Sequence, residues 1–254
     1  MIHSFLLIGQ SNAAGRGEIS EAGPLDTCEG KLKVLRNGRW QKMYRPVNPD
    51  RSFSGTCFAE SFAKAYFEAN PDVEVGIIPC ADGGTTLEQW SPGGLLFDNA
   101  VNCAKLAMRT SHLVGILWHQ GESECTDERY PLYRERFEHI MNTLREELNM
   151  PDLPILVGGL GDFLADYAAS DMRGRYYTYV NAALQTIGEE YHNCSFVSAE
   201  GLGSKSDNLH FNAEALYEFG LRYFDVYQKM GVKNPIISSE EKEDDSIRSA
   251  MELL

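Results

Sequence analysis

The sequence predicts an α/β fold, a three-layer α/β/α sandwich whose middle layer is a mostly parallel five-stranded sheet, with a small β-hairpin near residues 33–43. Three observations predict it. Five short apolar runs alternate with five longer amphipathic segments, the pattern left by strands joined through crossover helices. Asn37-Gly38 separates two short runs, which is a tight-hairpin signal. A chain of 254 residues with 43% hydrophobic content can bury one large core.

In chain order the expected strands are "HSFLLI" (3–8), "VEVGIIP" (73–79), "HLVGILWH" (112–119), "LPILVGG" (153–159) and "CSFVSA" (194–199). Each has the length and continuous apolar character of a strand covered on both faces. The expected helices are "GTCFAESFAKAYFEA" (55–69), "LFDNAVNCAKLAMR" (96–109), "DERYPLYRERFEHIMNTLREEL" (127–148), "GRYYTYVNAALQTIGEEY" (174–191) and "NAEALYEFGLRYFDVYQKM" (212–230). Apolar residues recur in them three or four apart, which gathers them on one face. "KVLRNGRWQKM" (33–43) departs from the alternation and reads as a ribbon at the side of the sheet. Residues 1–235 form one domain on this reading, and 236–254 an acidic tail, mobile or docked as a short helix.

Charge narrows the partners. The chain carries 23 basic and 37 acidic residues, a net charge of −14 that repels phosphate backbones and anionic lipid surfaces. Nucleic acid and membrane are therefore not expected as partners. No apolar stretch reaches the roughly 18 residues of a membrane span. The opening "MIHSFLLIGQSN" lacks the basic start and the length of a signal peptide, so a cytoplasmic location is expected. The cysteines Cys28, Cys57, Cys80, Cys103, Cys125 and Cys194 show no CxxC spacing, and free, mostly buried thiols are expected. The oligomeric state is left open.

Ligands of such folds sit at the carboxyl ends of the strands, so the residues just past each run are the candidates. "GQSNAAGRG" (9–17) turns sharply into a helix at Ser11. That serine is either a helix cap or a nucleophile beside free N–H groups. In "PCADGGTTLEQW" (79–90), Gly83-Gly84 either makes a turn or lets the backbone approach a ligand. "WHQGESE" (118–124) runs a strand straight into His119, Gln120 and Glu122, which either form a wet loop or converge on a substrate. His119 and Glu122 also suggest a zinc pair, but HExxH is absent and no third ligand follows at a usual spacing. In "SDNLHF" (206–211), the Asp207 carboxylate can take the Nδ1–H of His210 and free Nε2 to act as base. The alternative is a turn aspartate beside a structural histidine.

Together these stretches supply a nucleophile, a base, an orienting acid and N–H or amide donors, the parts of acyl transfer. An α/β-hydrolase would carry G-x-S-x-G in mid-chain, whereas here the serine opens the chain. Gln10, Asn12, Arg16, Trp90, His119 and Glu122 are candidate substrate-binding residues. Trp90, Trp118 and Tyr44 either stack on a sugar ring or belong to the core. Arg16, Arg45 and Arg51 either meet a carboxylate or lie solvated on the surface.

"GQSNAAGRG", "DGGTTLEQW", "WHQGESE" and "DNLHF" resemble, in order, the four blocks of the SGNH hydrolases, in the branch of the sialate O-acetylesterases and the family 6 carbohydrate esterases that deacetylate xylan. The resemblance spans residues 9–211, and Ala13 stands where that branch usually has Met. It implies a flavodoxin-like SGNH fold with Ser11 as nucleophile, His210 as base and Asp207 as its partner. It implies an oxyanion hole from the amides of Ser11 and of Gly83 or Gly84 together with Gln120. It implies no metal or organic cofactor, and a small-molecule or oligosaccharide acetyl ester as substrate. Two rival functions remain open at this stage: a non-catalytic carbohydrate-binding module, and a lipid or thioester acylhydrolase on the same fold.

Overall fold

The computed structural model describes residues 1–167 and 172–232, so the expected tail at 236–254 lies outside the described residues. Among the described residues, seven strands form one sheet in the order β3-β2-β4-β1-β5-β6-β7. They are β1 (Ile2–Gly9), β2 (Leu32–Arg36), β3 (Arg39–Lys42), β4 (Glu74–Pro79), β5 (His112–His119), β6 (Ile155–Gly158) and β7 (Cys194–Val197). The helices are α1 (Ser11–Ala14), α2 (Ala59–Ala69), α3 (Leu95–Ala107), α4 (Tyr133–Leu148), α5 (Met172–Glu190) and α6 (Ala213–Lys229).

Alternation along β1 builds both cores at once. Phe5 and Leu7 pack with Phe62 of α2 and Leu216 and Phe219 of α6. Leu6 and Ile8 point the other way, toward Val101 of α3, Phe137 of α4 and Val180 of α5. Successive side chains of a strand face opposite sides, so one continuous apolar run serves two helical layers.

The five expected strands are present, and the sheet is larger than expected because the hairpin belongs to it. Asn37 and Gly38 take positive φ of 50° and 76° at the turn between β2 and β3, and Arg36 pairs with Arg39 across it. Yet β2 also pairs in parallel with β4, setting Leu32 against Val75 and Val34 against Ile77. Leu32, Val34, Leu35 and Trp40 are all buried. A ribbon with apolar groups on both faces gains more as a sheet edge than beside it. The start of the third expected helix also shifts. Pro131 falls in a short 3-10 turn at Tyr130–Leu132 and α4 begins at Tyr133, because proline is tolerated only in a first turn.

This topology sets where the site falls. The chain leaves β1 for the β2–β3 hairpin at one edge, comes back by α2 to β4 beside β1, and then crosses by α3 to β5 on the other side of β1. The carboxyl end of β1 is therefore the switch point of the sheet, where two connections diverge and leave a crevice. Ser11 follows β1 at that point.

Candidate active site

The turn out of β1 needs a glycine at position 9. Gly9 sits at φ 129°, and a Cβ there would lie 2.0 Å from the His119 carbonyl oxygen. The Gln10 amide instead donates to that carbonyl at 2.9 Å. Ser11 is then the first residue of α1, preceded by Gln10 at the cap position. Its hydroxyl is not spent on capping.

The Ser11 Oγ lies 3.0 Å from Nε2 of His210. His210 Nδ1 lies 2.7 Å from Oδ2 of Asp207. The other carboxylate oxygen of Asp207 accepts the backbone N–H groups of Leu209 and His210, each at 2.9 Å. Burial alone would raise the Asp207 carboxyl, but the hydrogen bonds from the His210 ring and from these two amides outweigh it and hold the group below the ordinary carboxylate value. An ionised Asp207 fixes the His210 tautomer with its proton on Nδ1. An imidazole so held can take the proton of Ser11.

The loop carrying His210 is itself fastened to α1. Asn12 donates from Nδ2 to the Leu209 carbonyl at 3.2 Å and accepts the Phe211 N–H at 3.1 Å, bracketing His210 on both sides. The same Nδ2 donates to Oε1 of Glu122 at 2.5 Å. Asn12 and Glu122 are buried. They position the histidine loop and offer no open face to a substrate.

The other expected substrate-binding residues also turn inward. Gln10 accepts the N–H groups of Gly121 and Ser123 at 3.3 Å. His119 is buried among Phe58, Phe211 and Phe219, with Nε2 3.0 Å from the Gly159 carbonyl. Trp90 gives its N–H to Thr85 Oγ1 at 3.0 Å and meets Trp118 edge to face. Both tryptophans are core residues. Arg16 forms a bidentate pair with Asp50 at 3.0 and 2.6 Å, and both side chains are only 4% exposed. Arg45 pairs with Glu60 and Arg51 with Asp82, each at 2.8 Å. Tyr44 is exposed and accepts from Arg36 at 3.2 Å.

Two of the four expected oxyanion donors have other acceptors. The Gly83 N–H donates to Asp50 Oδ2 at 2.9 Å. Gln120 is buried and donates its amide hydrogens to the Thr85 carbonyl at 3.2 Å and to Glu124 Oε1 at 3.3 Å. The N–H groups of Ser11 and Gly84 meet no acceptor among the described residues. Gly84 is exposed at φ 79°, a left-handed conformation that glycine adopts without strain.

Sequence reasoning singled out Tyr44, Arg45 and Arg51 in the loop between β3 and α2 but missed Asn48 and Asp50. Asn48 makes paired hydrogen bonds with the Ala81 amide and carbonyl at 3.0 and 2.9 Å, and Asp50 holds Gly83. Burial would raise the Asp50 carboxyl, but hydrogen bonds from Arg16 and Ser54, the Arg16 charge and the Gly83 amide keep it below its ordinary value. The available signal was the length of the connection from Lys42 to Ala59, since long ordered loops usually serve a site.

The comparisons with known proteins agree with this architecture. Residues 1–229 match the model of the family described as carbohydrate esterase, sialic acid-specific acetylesterase. A protein described as a probable carbohydrate esterase of Arabidopsis thaliana is 29% identical over 245 residues, covering 88% of this chain and 89% of its own. The crystal structure of that plant protein superposes with a TM-score of 0.79 at 28% identity, over 89% of this chain and 98% of its own. The crystal structure of NanS gives a TM-score of 0.71 at 16% identity, over 91% and 97% of the two chains. A carbohydrate acetylesterase from Xanthomonas citri gives 0.65 at 19% identity, over 90% of this chain and 56% of the other. The last two likenesses concern the fold.

Proposed function

Because this chain belongs to the carbohydrate esterase, sialic acid-specific acetylesterase family and is thereby a carboxylic ester hydrolase, we propose that it removes O-acetyl groups from a carbohydrate through an acetyl-enzyme on Ser11. The observation that carries the reading is the unbroken chain of hydrogen bonds from Ser11 Oγ through His210 to Asp207, at 3.0 and 2.7 Å.

In the first half-reaction His210 Nε2 takes the Ser11 proton as Oγ bonds to the acetyl carbonyl carbon, and the carbonyl electron pair moves onto oxygen. The N–H groups of Ser11 and Gly84, which meet no acceptor among the described residues, are the donors this reading assigns to that charge. The tetrahedral intermediate collapses as the bond between the acyl carbon and the sugar oxygen breaks, and His210 returns its proton to that departing oxygen. Water then attacks the acetyl-enzyme with His210 again as base, releasing acetate and restoring Ser11. Asp207 stays ionised throughout and stabilises the imidazolium.

The substrate is an O-acetylated oligosaccharide such as acetylated xylan, or an O-acetyl sialic acid. Acetate release from acetylated xylo-oligosaccharides, O-acetyl sialic acids and simple acetyl sugars tests this, with Ser11→Ala as control. The proposal expects at least one of them to be cleaved and Ser11→Ala to be inactive. Activity that rises with acyl chain length on lipid or thioester substrates would overturn it.

A further inference from the structure

The loop between β3 and α2 has an inner side already accounted for and an outer side that is not. Inward, Asp50 clamps Arg16 and the Gly83 amide. Outward, the ring of Phe53 lies over the Arg16 guanidinium, 5.3 Å from Cζ to the ring centroid. Phe53 is nevertheless 69% exposed, so one face rests on Arg16 and the other is open.

Its position is fixed relative to the nucleophile. A Cβ placed on Gly83 would lie 2.4 Å from Arg16 Nη2 and 3.4 Å from the Cβ of Ser11. Arg16 thus links Phe53 to Gly83, which in turn lies beside Ser11. A phenylalanine left in water forgoes the gain of burial, and aromatic side chains are common lining groups of small-molecule sites. The surroundings are polar. Arg51, 43% exposed, pairs with Asp82 and donates to the Gly83 carbonyl at 3.2 Å.

We propose that Phe53 is the platform on which the sugar ring of the acetyl ester stacks while its ester carbonyl meets Ser11. One flat apolar face beside an ion pair matches a pyranose, which has an apolar C–H face and a rim of hydroxyl groups. An alkyl chain would need a longer apolar trough. Arg16 acts as a pedestal, its charge balanced by Asp50, and Arg51 and Asp82 are placed to meet hydroxyl groups. The inference rests on the carbohydrate-ester reading above and deepens it.

The test compares two esters in the full chain: ethyl acetate, which has no ring, and whichever acetylated xyloside or O-acetyl sialic acid the native protein cleaves fastest. For Phe53→Ala the ratio of kcat/KM on the sugar ester to that on ethyl acetate should fall about three- to tenfold, chiefly through KM on the sugar, as loss of one aromatic contact implies. Phe53→Leu should fall as far, because it is apolar but not flat, and Phe53→Trp should restore the ratio. An unchanged ratio in Phe53→Ala, or full retention in Phe53→Leu, overturns the platform. A native protein that cleaves ethyl acetate and no acetyl sugar overturns the carbohydrate reading itself.

Discussion

At the scale of single residues, two carboxylates lie near His210 and the structure separates their roles. Asp207 touches the ring at 2.7 Å, whereas Glu122 reaches it only through Asn12 and the backbone around Leu209 and Phe211. Asp207→Asn should therefore lower kcat steeply, since an amide can favour the wrong tautomer and the same change in serine proteases costs about 10⁴. Glu122→Gln keeps an acceptor for Asn12 and should cost far less. Steady-state rates on an acetyl ester decide it, and a larger loss in Glu122→Gln would reverse the assignment. Gln120 is a second case. Its hydrogens serve Thr85 and Glu124, and burial raises the Glu124 carboxyl despite the Leu87 amide and Gln120. Gln120→Ala should lower the urea midpoint by an amount equivalent to about 1–3 kcal/mol, the cost of leaving buried partners unpaired. A loss of about 10² or more in kcat with stability intact would return Gln120 to the oxyanion hole.

At the scale of elements, the loop from β3 to α2 stabilises the turn that carries Gly83 and Gly84. Its Asp50–Arg16 pair is almost fully buried, and removing one partner of such a pair typically costs about 3–5 kcal/mol. Asp50→Asn should show that order of loss in denaturant unfolding at pH 7. The sign with pH follows from the lowered carboxyl. A group whose pKa is depressed by folding contributes stability above its unfolded value of about 3.9, and loses it as pH falls through the folded value. The gap between native and Asp50→Asn should thus be constant through the neutral range and close only in strong acid. A gap that closes between pH 7 and 5 would contradict the assignment. The strands and helices were legible because each carries its period in its own residues. The loop was not, because Asn48, Asp50 and Phe53 gain meaning only from Ala81, Gly83 and Arg16, which the sheet brings beside them. That the hairpin extends the sheet was not legible for the same reason. Its turn is local, but its pairing with β4 joins strands about 40 residues apart.

At the scale of the molecule, the fold gathers the end of β1 and the loop after β7, so that residues 11, 207 and 210 meet across almost the full described chain. Ser11 stands out in the sequence as polar just past an apolar run, and Asp207 and His210 by their three-residue spacing just before the last helix. The same signal also marked His119, Glu122 and Asn12, which are equally polar and equally placed but face inward. Polarity at a strand end locates a site without saying which side chains open into it, and that distinction is made by packing. The central claim, that Ser11 is the nucleophile activated by His210, is tested most directly by a fluorophosphonate. One equivalent should attach covalently, peptide mass spectrometry should place it on Ser11, labelling should vanish in Ser11→Ala and slow in His210→Ala, and the acetyl-ester activity should fall in step with labelling. Label on another residue, or label persisting in Ser11→Ala, would contradict the account.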